Sequence, residues 1–219
     1  MKKNLTLPFN DRCILVCSDI FGATSSFHRF ISWLYKQTRQ QVEYVSPYDS
    51  AISFTEEAAA YTHFKHVGGI DSYIGRLQDK VAKKRISHVI GFSAGASSAF
   101  LALTQSHQYQ HTRKQPNAMS MLKSITLFYP GQLRHYPELI RTFSIGRDVT
   151  MRIVLARESH FDEHALKAQF TQQGMYSECV DAHHGFMNPL STNSDEIERE
   201  KWEQEIVSTI LRSENQCLA

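Results

Sequence analysis

Gly91 and Gly95 flank Ser93 two places on either side, in Gly91-Phe92-Ser93-Ala94-Gly95, and make it the serine best suited to nucleophilic chemistry. A G-x-S-x-G turn between a strand and a helix bends the backbone sharply and leaves the hydroxyl exposed, because the small flanking residues let neighbouring backbone come close. The surroundings have that layout. Val89-Ile90 ends an apolar run before the turn, and residues rich in Ala, Ser and Leu follow it to Gln105, so a strand leads into a helix.

A serine hydroxyl is a weak nucleophile at neutral pH and needs a base within hydrogen-bond reach, usually a histidine oriented by a carboxylate. In the order serine, acid, histidine, the histidine falls in Asp181-Ala182-His183-His184-Gly185-Phe186, read as a loop after the last strand. Of the eleven histidines, His184 is preferred because it stands directly before Gly185, where a sharp turn is available. Its neighbour His183 is not excluded on physical grounds. The acid comes from Glu158 to Glu163. Asp162 reads as the N-cap of the next helix, and Glu158, immediately after a strand, is preferred over it, with Asp162 left as the alternative.

The elements that must hold these side chains follow from periodicity. Strands are expected at Arg12–Ser18, Gln41–Ser46, Ser87–Phe92, Lys123–Tyr129, Met151–Ala156 and Tyr176–Val180. Helices are expected at Ser25–Thr38, Gly69–Lys84, Ala94–Gln105, Asp162–Gln173 and Asp195–Arg212. This alternation is that of an α/β protein, and runs such as Cys13-Ile14-Leu15-Val16-Cys17 fit strands of a mostly parallel sheet covered on both faces. Sites in such sheets lie beyond the carboxyl ends of the strands. Asp19, Ile20, Ser93, Pro130, Glu158 and His184 all fall there. The 219 residues suit one domain spanning 1–219.

Four segments, Asp19-Ile20-Phe21-Gly22, Gly91-Phe92-Ser93-Ala94-Gly95, Phe128-Tyr129-Pro130-Gly131 and His184-Gly185-Phe186, together resemble the dienelactone hydrolase family over about residues 12 to 212. The resemblance implies an α/β-hydrolase fold, a nucleophile at Ser93, a base at His184 and an oxyanion hole from the backbone N–H groups of Ile20 and Ala94. Three positions depart from the family's pattern. Asp19 replaces a glutamate and is a further candidate site residue, Glu158 stands where the family carries aspartate, and Asn188 replaces the arginine of carboxylate-binding members, so a dienelactone itself gains little support. The family's first two antiparallel strands are mostly missing, and a minimal version of the fold is expected.

Other classes of function have less behind them. A formal charge of +2 argues for neither nucleic acid nor a membrane surface, and Lys83-Lys84-Arg85 reads as a solvated helix end. The four cysteines show no C-x-x-C pair, which fits a reducing compartment and no zinc site. No secretory leader or membrane span is read, so a cytoplasmic protein is expected. His160 and His164 read as an exposed pair rather than metal ligands, and Gly68-Gly69 lacks the context of a phosphate cradle. Cys17 reads as a buried, inert thiol. His63 and His66 fall in a stretch read as loop, Gln108–Ala118 reads as an exposed loop, and 132–150 as a lid or a surface excursion.

The expectation is a serine hydrolase cleaving a small-molecule ester, thioester or lactone through an acyl-enzyme, with no cofactor and no metal. The alternatives are a non-catalytic binding or scaffold protein on the same fold and a nucleotide binder.

Overall fold

The computed structural model describes residues 12–49, 52–110, 121–144, 146 and 148–215. Six strands, β1 (Arg12–Cys17), β2 (Gln41–Val45), β3 (Arg85–Phe92), β4 (Ser124–Phe128), β5 (Thr150–Arg157) and β6 (Ser177–His183), form one sheet in the order β2-β1-β3-β4-β5-β6. Every pairing is parallel. All carboxyl ends therefore lie along one edge, and the segments that leave them meet there.

Helices cover both faces. Along β1 the side chains alternate, Cys13, Leu15 and Cys17 entering one core and Ile14 and Val16 the other, which is why the strand is apolar at every buried position. The first core is closed by α2 (Glu57–His66), α3 (Gly69–Lys83), α4 (Ala94–Gln110), α5 (Pro137–Thr142) and α6 (Glu163–Gln172). The second is closed by α1 (Ser25–Thr38) and α7 (Glu196–Asn215). Thr24 caps α1 by accepting from the Phe27 amide, and Trp202, Ile206 and Ile210 place one stripe of α7 on the sheet.

Four expectations need correction. His63 and His66 belong to α2, not to a loop; the run Ala58-Ala59-Ala60 favours helix, and the His63 ring packs on Tyr48 and Phe54 at centroid distances of 5.0 and 5.2 Å. The described part of 132–150 is folded onto the core, with Gln132 and Arg134 lining the cleft that also holds Ser93. A 3-10 turn at Gly131–His135 buries Leu133, α5 buries Ile140, and Phe143 stacks on Phe100 at 4.4 Å. Asp181–His183, read as loop, extend β6. Of the presumed loop at Gln108–Ala118, residues 108–110 finish α4 and the rest lies outside the described residues.

Among the described residues no helix is long and apolar enough to cross a membrane. Lys83 ends α3, Lys84 pairs with Glu43 at 2.7 Å, and Arg85 opens β3, so the basic triplet is not simply a solvated helix end.

Candidate active site

Ser93 joins β3 to α4 with φ of 50°, left-handed backbone that a serine rarely adopts. Its neighbours explain how the chain tolerates this. A Cβ on Gly91 would stand 2.5 Å from Ala96 Cα, and one on Gly95 would stand 2.3 Å from the Ser18 carbonyl oxygen. Only glycine fits at either place, because α4 starts hard against β3 and against the end of β1. Ser93 N donates to the Phe128 carbonyl at 2.9 Å, and Ser97 N donates to the Ser93 carbonyl at 3.0 Å, which fixes the turn at both ends.

The hydroxyl meets an imidazole. Ser93 Oγ lies 2.8 Å from His184 Nε2, and His184 Nδ1 lies 2.6 Å from Glu158 Oε1. A carboxylate only accepts, so Nδ1 carries the ring proton and Nε2 is left to accept from the serine. Glu158 has only 8% of its side chain exposed, against 33% for His184, so the carboxylate is shielded from competing water.

Backbone contacts hold the imidazole in place. His184 N donates to the Arg157 carbonyl at 3.2 Å, its own carbonyl accepts from Asn193 Nδ2 at 3.0 Å, and its ring sits 4.8 Å from that of Tyr129.

The alternatives considered for these positions make other contacts, and His183, although it lines the cleft, is not the imidazole bonded to Ser93. Asp162 accepts from the His164 and Ala165 amides and caps α6, and His183 is an exposed residue at the end of β6. His160 precedes α6 while His164 lies within it, beside Cys179 Sγ at 3.7 Å. Burial drives the Cys17 thiol far up from its usual pKa, so it is no nucleophile.

Ile20 and Ala94 line the same cleft as Ser93 and His184, a space of about 770 Å³ walled on one side by Ala58, Tyr61 and Phe64 of α2. Among the described residues neither the Ile20 nor the Ala94 amide has a protein acceptor. Both amides are therefore free of protein acceptors in residues that line the cleft.

Asp19 plays a different part from the one its position invites. Its Oδ1 accepts from the Phe21 amide at 2.9 Å and its Oδ2 from Asn188 Nδ2 at 2.7 Å, so it shapes the turn that carries Ile20. Burial pushes its carboxyl up to about 6, against the pull of both hydrogen bonds and of His184. Tyr48 holds the same turn by donating to the Ile20 carbonyl at 2.7 Å.

Tyr48, Tyr129, Asn188 and Asn193 were not identified as supports from sequence. Asn188 drew notice only as a missing arginine and Tyr129 only as part of Phe128-Tyr129-Pro130-Gly131, and nothing in the spacing marks Tyr48 or Asn193.

No family model matches the sequence, and no curated protein matches it. Solved structures do. A protein from Xanthomonas campestris pv. campestris, provisionally assigned as a hydrolase of the alpha/beta superfamily, is similar with a TM-score of 0.57 at 13% identity, over 92% of this chain and 97% of that one. Esterase B from Lactobacillus rhamnosis, in a structure with a tributyrin phosphonate, gives 0.56 at 11% identity over 94% of this chain and 76% of its own. A structure from work on the metagenome-derived lipolytic enzymes LipS and LipT gives 0.56 at 10% identity over 92% of this chain and 94% of its own. With its six parallel strands and helices on both faces, the chain has an α/β-hydrolase fold in minimal form.

Proposed function

We propose that this protein is a serine hydrolase that cleaves a small ester, thioester or lactone through an acyl-enzyme, as a dienelactone hydrolase-like member of the superfamily that works in a reducing, cytoplasmic setting. One observation carries the reading: the unbroken hydrogen-bonded chain from Ser93 Oγ through His184 to Glu158, at 2.8 and 2.6 Å. Three further facts support it. The Ile20 and Ala94 amides lie in the same cleft, the similar structures named above are described as hydrolases, esterases and lipolytic enzymes, and Cys13, Cys17 and Cys179 are free thiols.

Ser93 Oγ attacks the carbonyl carbon while its proton passes to His184 Nε2. The imidazolium is stabilised by Glu158 at Nδ1, and the oxyanion by the amides of Ile20 and Ala94. Collapse of the tetrahedral adduct breaks the bond to the leaving oxygen or sulfur, which takes the proton back from Nε2. Water then gives a proton to His184, attacks the acyl carbon and restores Ser93 as the acid departs.

A fluorophosphonate probe tests this directly, since only an activated serine reacts readily with it. Stoichiometric labelling at Ser93, abolished in Ser93→Ala, is expected. A folded wild-type protein that stays unlabelled would overturn the reading.

A further inference from the structure

Tyr48 joins two elements that wall the cleft at Ser93, and it does so with one proton. Its ring is buried and packs edge-on against Phe54 and His63 at centroid distances of 5.4 and 5.0 Å. Its hydroxyl stands 2.7 Å from the Ile20 carbonyl and 3.1 Å from the Ala60 carbonyl. Ile20 belongs to the turn after β1 and Ala60 to α2, so a turn and a helix distant in sequence meet at a single phenolic oxygen.

Both groups facing that oxygen are acceptors, and a phenol has one proton to give. Burial, reinforced by the charge of Asp19, pushes the phenol well above its ordinary range, so the proton stays in place at neutral pH. A contact of 2.7 Å is a full hydrogen bond between oxygens, while 3.1 Å lies just beyond the usual range. Ile20 is therefore the main acceptor, and an approach of α2 would draw the proton away from it.

Tyr73 shows the contrasting arrangement. Its hydroxyl stands 2.9 Å from the Ser18 carbonyl and 2.8 Å from the Val45 carbonyl, and so joins the ends of two paired strands. Tyr48 instead joins the turn to α2, a helix of ten residues that starts without a side-chain cap and is held less firmly than the sheet. The face of α2 toward the cleft carries Ala58, Tyr61 and Phe64, a surface suited to an apolar group.

We propose that the Tyr48 hydroxyl is a positioning group that couples an apolar chain of the substrate, resting on Ala58, Tyr61 and Phe64, to the backbone amide of Ile20. A chain on that wall holds α2 where Ile20 keeps the shorter bond, so esters with an apolar chain longer than acetyl are the preferred substrates. This rests on the acyl-enzyme reading above, in which the Ile20 amide serves the oxyanion.

Trifluoromethyl ketones read the oxyanion directly. Ser93 Oγ bonds to the carbonyl carbon, its proton passes to His184 Nε2, and the π pair moves onto the oxygen, whereas the matching methyl ketones add far less readily. Inhibition constants are measured against para-nitrophenyl acetate for hexyl trifluoromethyl ketone and hexyl methyl ketone, and for trifluoroacetone and acetone. In the wild type the advantage of the fluorinated ketone should be about tenfold larger for the hexyl pair.

Tyr48→Phe keeps the ring, and in it the advantage of the hexyl pair should drop by about tenfold to that of the short pair, with hexyl methyl ketone within about twofold of wild type. A merely structural loss would weaken both fluorinated ketones alike. Tyr61→Ala, at a half-exposed position, leaves both Tyr48 contacts in place and should reduce the advantage of the hexyl pair alone; it decides the matter with the wild-type comparison if Tyr48→Phe does not fold.

Equal advantages for the two pairs in the wild type, or advantages that are unchanged or equally reduced in folded Tyr48→Phe, overturn the proposal, and fluorophosphonate labelling at Ser93 would then leave the hydrolase reading standing. A folded wild type that takes no label removes both.

Discussion

Asn188 Nδ2 donates to Asp19 Oδ2 at 2.7 Å, so a residue four places beyond the imidazole is fastened to the turn that presents the Ile20 amide. The two loops leave strands at different places in the sheet, β6 at its edge and β1 near the opposite side. This bond thus ties the loop that carries His184 to the turn that carries Ile20. Removing it in Asn188→Leu should lower kcat for an activated ester by about ten- to hundredfold, as small misplacements of reacting groups do, with far-UV circular dichroism unchanged. Full activity in that variant would show that the loops are held by other means.

Glu158 and Asp162 are separable by mutation, although both are carboxylates within one short segment. Glu158→Gln keeps the size of the side chain but removes the charge that stabilises the imidazolium, and kcat should fall by about 10³- to 10⁴-fold. Asp162→Ala removes only the cap of α6, with a loss of about 1 kcal/mol in urea unfolding and kcat within about twofold of wild type. Steady-state kinetics beside unfolding curves distinguish the two.

Asp19 should make stability depend on pH. Its carboxyl is raised from 3.8 to about 6 in the folded chain, so the folded state holds a proton that the unfolded state has lost over that interval. The contribution is fully present below pH 3.8 and disappears as pH climbs through 6, a change of at most about 3 kcal/mol. In Asp19→Asn, whose amide oxygen can still accept from Phe21, the variant should gain on wild type between pH 4 and pH 7 in parallel urea titrations. An identical offset at both values would remove Asp19 from the account.

His88 predicts the opposite slope. Its ring is wholly buried at the other end of the sheet, with Nδ1 2.7 Å from Ser124 Oγ and Nε2 3.1 Å from Glu214 Oε1. Since the carboxylate accepts, Nε2–H donates to Glu214 and Nδ1 accepts from the serine, which defines a neutral ring. Burial holds its pKa below 6.5, so its contribution is present above that value and is lost as pH falls. His88→Ala should cost about 2–4 kcal/mol by leaving a void and two orphaned partners, and should flatten the acid side of a plot of Tm against pH.

Strand positions and the turn at Ser93 were legible for the same reason. In β1, β3 and β4 nearly every residue is buried, and unbroken apolar runs mark such strands without ambiguity. The G-x-S-x-G spacing was readable because steric contact at Gly91 and Gly95 permits no other residue. Glu158 could be named because it directly follows a strand, whereas Asp162 carries the signature of a cap.

The failures have physical causes as well. α2 begins at a residue that makes no side-chain cap, so that signal of a helix start was absent. β6 runs on to His183 with Asp181 and His183 exposed and Ala182 buried between them, a polar–apolar alternation that an edge strand tolerates. Tyr48, Tyr129, Asn188 and Asn193 act through hydrogen bonds or ring contacts across the fold, and no local pattern records such pairings.

The left-handed backbone at Ser93 sets endurance against usefulness within one residue. A non-glycine residue there costs about 1–2 kcal/mol that glycine would not. Variants screened for heat resistance alone would thus be rewarded for replacing this serine with glycine, and would lose the hydroxyl by the same step.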